Sequence, residues 1–444
     1  MRRRRRPWRP SCEPCSAVRQ GEAERGMSRE GRASEPKVLA LILAGGKGER
    51  LMPLTEVRSK PAVPFGGTYR IVDFVLSNFY NSGITAMHVM VQYRSQSLIE
   101  HLRRAWRIGD GDRQFVTVVP PQMNLRDGWY QGTADAVYQN MNLIRDFAPD
   151  LVAVFGADHI YRMDIRQMIR FHLEREADLS VATLPVPLPE ARGFGIVDVD
   201  RNSRIVGFDE KPAFPKAMPG RPDRALSSMG NYLFNTDVLL RALEENASEE
   251  RAHDFGKDIL PRLLHRERVM AYNFQDNEIP GLAYYEEPGY WRDVGTIPAY
   301  WQANMDLLGD MPVNDLRNPH WPIRTAHSSG PPAGVVNSYL DHAVIGEGSR
   351  IIEADVRRSI IGRHVRIDAG AQIEDSVIFD HAHIGAKTRL RRVIIDRENE
   401  IPAGADWGHQ DSGMDSTVPW TASGITVFPK RSSRNEPSAP RISH

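Results

Sequence analysis

The sequence predicts an α/β chain: a mixed, mainly parallel sheet with crossover helices, followed by a parallel β-helix. Three observations carry this. Short β-branched runs alternate with amphipathic stretches from Val38 to about Leu308. A Pro-rich irregular stretch, NPHWPIRTAHSSGPPAG, interrupts the pattern. Beyond it Ile and Val recur near six-residue intervals, often followed by Gly, as in Val344-Ile345-Gly346 and Ile360-Ile361-Gly362.

Taken in order, VLALILAG reads as the first strand, YRIVDFVLSNFYNSG as a helix ending at Gly83, and TAMHVMVQY as a second strand. TADAVYQNMNLIRDF has helical spacing, and DLVAVFGAD and DLSVATLPV are strands. GIVDVDRNSRIVGFDEKP reads as a hairpin turning at Asn202–Ser203. The expected organisation is a tail 1–36, an α/β domain 37–310, a linker 311–334, a β-helix 335–405 and a C-terminal segment 406–444.

Composition narrows the class. The 444 residues are 41% hydrophobic and 26% charged, and no apolar run approaches the roughly 18 residues of a membrane span. Net charge is zero, but ten Arg and five Glu fall in residues 1–36, so the body is mildly acidic and carries no nucleic-acid footprint. The Arg/Pro-rich start has no apolar signal core; the expectation is a disordered tail, or synthesis beginning at Met27, and a cytoplasmic protein. Both cysteines, Cys12 and Cys15, lie in that tail, so disulfides and thiol catalysis are excluded from the fold.

The first strand runs into Gly45, Gly46, Lys47 and Gly48, a basic Gly-rich loop suited to phosphate. Neither the Walker pattern nor the dinucleotide pattern fits it, since Leu51 stands where a third glycine belongs. Lys47, Arg50, Arg58 and Lys60 cluster nearby and suit a triphosphate. Asp158 closes a buried strand, where open α/β sheets bind ligands; it is either a metal ligand or a cap for the next turn. Asp293, just before Thr296, reads on its own as a cap at a helix start, yet two such carboxylates converging suit Mg²⁺ with substrate phosphates. Glu210-Lys211 is either a surface pair or a grip on a sugar phosphate.

LAGGKGERLMPLTEVRSKPAVPFGGTYRIVDF, WYQGTADAV, FGADHIYRMD, GFDEKP, SSMGNYLF, HDFGKDILP and YWRDVGT, in this order, resemble the bacterial glucose-1-phosphate adenylyltransferase (ADP-glucose pyrophosphorylase) family. The resemblance runs from Val38 to about Thr325, and the solenoid fits it. It implies a Rossmann-like nucleotidyltransferase domain, a left-handed parallel β-helix, and ADP-glucose synthesis from ATP and glucose 1-phosphate for glycogen. Tyr130, Gly195, Glu210, Lys211 and Ser228 resemble the glucose 1-phosphate site. Asp158 and Asp293 resemble the Mg²⁺ pair, Asp158 being catalytic, with Arg50 and Lys60 as triphosphate residues. Gly45, Gly46, Gly48, Gly132 and Thr133 resemble the nucleotide pocket, and Gln122 the adenine contact, beside Met123 where a second Gln is usual.

Val57 stands where enteric members carry a Lys tied to fructose bisphosphate activation, which leaves Arg58 to meet an anionic effector. Ser59 and Ser227 replace small apolar residues without a change of size. The resemblance further implies a homotetramer with small-molecule allosteric effectors, and no nucleic-acid or membrane partner. The competing readings are a UTP- or GTP-using relative, a regulatory protein that lost catalysis, and a hexapeptide acyltransferase. For the last, His364, His381 and His383 read as solvent-exposed rather than catalytic.

Overall fold

In the computed structural model the strand β1 (Val38–Leu43) lies inside a nine-stranded sheet, and its alternation splits the core in two. Ala40 and Ile42 face one apolar cluster, Leu39 and Leu41 the other, and all four are fully buried. The structure describes residues 35–109, 111, 113–122, 129–248, 253–408 and 423–430. The readings for the tail, for Cys12 and Cys15, for Met123 and for the last dozen residues lie outside the described residues.

Beside β1 run β2 (Ala86–Met90), β3 (Phe115–Val119) and β4 (Leu151–Gly156), all parallel. The predicted first helix is α1 (Ile71–Asn81), which crosses from β1 to β2 and is followed by Gly83 at φ 79°. The single helix expected over TADAVYQNMNLIRDF is two: α2 (Thr133–Tyr138) and α3 (Met141–Phe147), with Asn140 at φ −117° breaking the turn between them.

A short strand β5 (His159–Tyr161) leaves the main sheet at once. It is followed by β6 (Leu179–Pro187), the hairpin β7 (Gly195–Val199) and β8 (Ile205–Glu210), β9 (Arg224–Asn235) and β10 (Val269–Asn273). The sheet order is β8-β7-β9-β4-β1-β2-β3, with β6 joining β9 to β10. Ser203 takes φ 64° in the hairpin turn, as expected for that position. β11 (Trp291–Asp293) pairs antiparallel with β5, and Thr296 caps the helix Ile297–Met305 through Ala299 N.

The segment predicted as a linker holds no regular element from 306 to 333, yet it is strapped down. Trp321 and Ile323 are buried, Trp321 Nε1 donates to Asn78 Oδ1, and Thr325 Oγ1 donates to Asp73 Oδ2 on α1.

Beyond it three five-stranded parallel sheets form the faces of the β-helix, inward Ile351, Ile367, Ile384 and Ile401 stacking coil on coil. The repeat departs from a strict six-residue rhythm: Arg350 lies on Arg366 and Arg366 on His383, so coils advance by 16 or 17 residues. The solenoid also reaches past residue 405. Asp406–Trp407 pairs with Arg389–Arg391, and Thr426–Phe428 closes the last coil against Val393–Ile395. An insertion between these strands hides the final one from any periodicity. His364 and His381 are exposed and stacked at 5.0 Å, whereas His383 is half-buried on Asp368.

The solenoid packs on the α/β part through one apolar cluster, including Leu54, Phe65, Phe74, Tyr300, Phe379 and Ile394. At its centre Arg58 makes a buried bidentate pair with Asp396, and its Nη1 also donates to Leu54 O. This corrects the expectation that Arg58 meets an effector: its guanidinium is 4% exposed and already committed.

Candidate active site

The carboxyl ends of β1, β2 and β4 open into a cleft of about 770 Å³. β1 is extended by Ala44 N bonding Met90 O, and then the Gly-rich loop turns away. The turn requires Gly48: its φ is 66°, and a Cβ there would sit 3.0 Å from both Lys60 Cβ and Thr55 Cγ2. Thr55 Oγ1 locks the turn by donating to Gly48 O. Arg50 follows on a short 3-10 turn anchored by buried Leu51, leaving its guanidinium exposed in the cleft and paired with Asp293 Oδ2 at 3.7 Å.

Neither aspartate is a cap. The element after Asp158 is a strand, not a helix, and the helix after Asp293 takes its cap from Thr296. The two carboxylates converge because β5 and β11 form an antiparallel ribbon that sets Asp293 opposite His159. Lys60 lies between them, its Nζ 3.2 Å from Asp158 Oδ2 and 2.9 Å from Asp293 Oδ1. Burial opposes charge on Lys60, but the two carboxylates outweigh it and raise its pKa. Burial likewise opposes charge on Asp158, and His159 and Lys60 beside it overcome that and hold its carboxyl far below the usual range.

At the other end, Glu210 and Lys211 line the cleft and pair with each other at 3.4 Å. Lys211 sits at φ 49°, its N–H donating to Phe194 O. Gly195 lies opposite Glu210 in the hairpin, and a Cβ on it would be 2.5 Å from Phe208 Cζ and 2.9 Å from Glu210 Oε2. β9 shifts register between Ser228 and Tyr232, and this bulge aims Ser228, Met229 and Gly230 at the cleft.

Tyr130 is clasped by Gln92, whose Oε1 accepts from Tyr130 N at 2.8 Å while its Nε2 donates to Tyr130 O. Burial raises the Tyr130 phenol, whose oxygen accepts from Asn140 Nδ2. Thr133 Oγ1 is spent within the protein, donating to Asp254 Oδ2 and accepting from Phe255 N.

Of the residues expected at the site, Gly45, Gly46, Gly48, Arg50, Lys60, Tyr130, Gly132, Thr133, Asp158, Gly195, Glu210, Lys211, Ser228 and Asp293 line this one cleft. Gln122 does not. It is exposed, and its Nε2 turns back to Pro120 O at 2.8 Å. Sequence reasoning missed Gln92, His159, Asp254 and Trp291, which also line the cleft. Gln92 ends the stretch after β2, a strand-end position that could have flagged it; Asp254 and Trp291 lay inside quoted motifs with no role attached.

The nucleotidyl transferase family model matches residues 39–309, and the model described as GlmU-like, C-terminal hexapeptide, matches residues 331–428. A glucose-1-phosphate adenylyltransferase of Thermodesulfovibrio yellowstonii is 49% identical over 403 residues, covering 90% of this chain and 98% of its own. The chain belongs to the glucose-1-phosphate adenylyltransferase family. Relatives of that name from Anaeromyxobacter sp., at 48% identity over 89% of this chain and 98% of theirs, and from Deinococcus radiodurans, at 45% over 89% and 99%, agree. With this membership goes the fold class expected above: a nucleotidyltransferase domain with a mixed sheet, then a left-handed hexapeptide β-helix.

Proposed function

We infer that the protein joins ATP and glucose 1-phosphate into ADP-glucose and releases pyrophosphate, so supplying a glucosyl donor for glycogen. The observation that carries this reading is the convergence in one cleft of the Gly-rich loop, two aspartates, and the Glu210-Lys211 pair, in a chain nearly half identical to adenylyltransferases over their full length.

A phosphate oxygen of glucose 1-phosphate attacks the α-phosphorus of ATP. A new P–O bond forms, the bond to the β-phosphate breaks, and pyrophosphate leaves with the electron pair. The attacking phosphate needs no general base, since the second pKa of a phosphate monoester is about 6. The obstacle is repulsion between anions, so positioning and neutralisation supply the acceleration. In this reading Lys211 holds the attacking phosphate, Glu210 meets sugar hydroxyls, and Arg50 faces the departing pyrophosphate. Lys60 hydrogen-bonds both Asp158 and Asp293 and so holds the two carboxylates close together.

Nucleotidyl transferases generally use a divalent metal. The donors here fit one: two carboxylates, one just before β5 and one on β11, and a buried imidazole nitrogen without a hydrogen bond. We assign Asp158 and Asp293 to Mg²⁺, which when bound neutralises charge on both phosphates. We also propose a homotetramer built through the solenoid, small-molecule effectors, and a cytoplasmic location. No described helix is long and apolar enough to cross a membrane.

The test follows the bond. With ATP labelled at the α-phosphorus, label is expected in ADP-glucose; with γ-labelled ATP, in pyrophosphate. Label in a phosphorylated sugar instead would show transfer of the γ-phosphate and refute the reading.

A further inference from the structure

We propose that His159 is a third donor to the divalent cation held by Asp158 and Asp293, and that it tilts the site toward ions that accept imidazole. The inference rests on the cation site of the reading above.

Topology brings the group there. His159 opens β5 directly after Asp158 and is the cross-strand partner of Asp293 on β11. One donor atom from each of the three residues lies within 4.8 Å of the others, the only such set among the described residues. The ring is pinned from the side: it packs on Trp291 at a centroid distance of 4.8 Å, and Trp291 packs in turn on Phe194. Its Nδ1 is 3.4 Å from Asp158 Oδ1 but makes no hydrogen bond to it or to any other group, although it is buried.

A buried imidazole nitrogen without a partner loses its hydration for no return. A histidine serving only to balance Asp158 would be expected to close a hydrogen bond with it. This one stands beside the carboxylates with an atom left over, which is the arrangement a ligand has before its ion. Oxygen donors alone suit Mg²⁺; adding an imidazole raises affinity most for Mn²⁺ and later transition ions.

The full-length protein labelled with [¹⁵N]histidine is mixed with Mn²⁺ and α,β-methylene ATP, and the bound ion is read by electron spin-echo modulation. A ¹⁵N coupling is expected in the unmodified protein and its loss in His159→Phe, which keeps the ring against Trp291. By titration, Mn²⁺ binding of the variant should weaken about tenfold, and Mg²⁺ binding by less. If His159 acts only as a neighbouring charge, its removal tightens both ions, and the proposal is wrong. Bound Mn²⁺ without ¹⁵N coupling also overturns it while leaving the two-carboxylate site standing. Absence of bound Mn²⁺ overturns both. The coupling in the unmodified protein needs no variant to fold.

Discussion

The Arg58 guanidinium and the Asp396 carboxylate meet through two hydrogen bonds of 2.8 and 3.0 Å, 338 residues apart in sequence and almost wholly buried. The pair ties the loop after the Gly-rich turn to the final coils of the solenoid. Removing one partner strands the other charge, at a cost of about 3–5 kcal/mol. Arg58→Met should therefore lower the denaturant midpoint, and the double variant Arg58→Met, Asp396→Leu should recover much of the loss. A single variant as stable as the parent would mean the pair contributes nothing to cohesion.

Gly195 owes its identity to Phe208 and Glu210 together. A methyl group at that position would press on Phe208 and on the Glu210 carboxylate, moving the latter off its place in the cleft. Gly195→Ala is expected to raise KM for glucose 1-phosphate about tenfold or more, with KM for ATP nearly unchanged. Equal changes in both constants would remove Glu210 from the sugar site.

His88 sets an acid limit on stability. Burial beside Phe115 pushes its imidazole down to about 4, and its Nδ1 has no hydrogen bond. Between the unfolded value of about 6.5 and the folded value, the unfolded chain binds the extra proton, so stability falls as pH falls through that window, by about 3 kcal/mol in all. Above pH 6.5 the group contributes no slope. His88→Phe should flatten stability between pH 6.5 and 4 in chemical-denaturation curves; an unchanged slope would assign the acid sensitivity elsewhere.

In the proposed reaction Asp158 is the residue whose charge the chemistry needs most. Asp158→Asn should leave thermal unfolding close to the parent and lower turnover at least about a hundredfold. Turnover near the parent value would take Asp158 out of the metal role.

Much of this was legible before any coordinates. The apolar run Leu39, Ala40, Leu41 and Ile42 announced the first strand, and the recurring Ile and Val of the solenoid announced stacked coils. Local signals failed where distant contacts decide the outcome. Thr426–Phe428 joins the solenoid only because Val393–Ile395 offers it an edge across an insertion. Arg58 reads as a free cation until Asp396 is brought to it, and the contacts of Lys60 with Asp158 and Asp293 are invisible until the fold brings these distant residues together. His159 was overlooked because its partner across the ribbon, Asp293, is remote in sequence.

The central claim is that this cleft transfers an adenylyl group to glucose 1-phosphate. The most direct measurement supplies the purified protein with Mg²⁺, glucose 1-phosphate and ATP, UTP, GTP or CTP in turn, and follows pyrophosphate release. Rapid release is expected with ATP and little with the other three. Preference for another nucleotide, or release independent of glucose 1-phosphate, would contradict it.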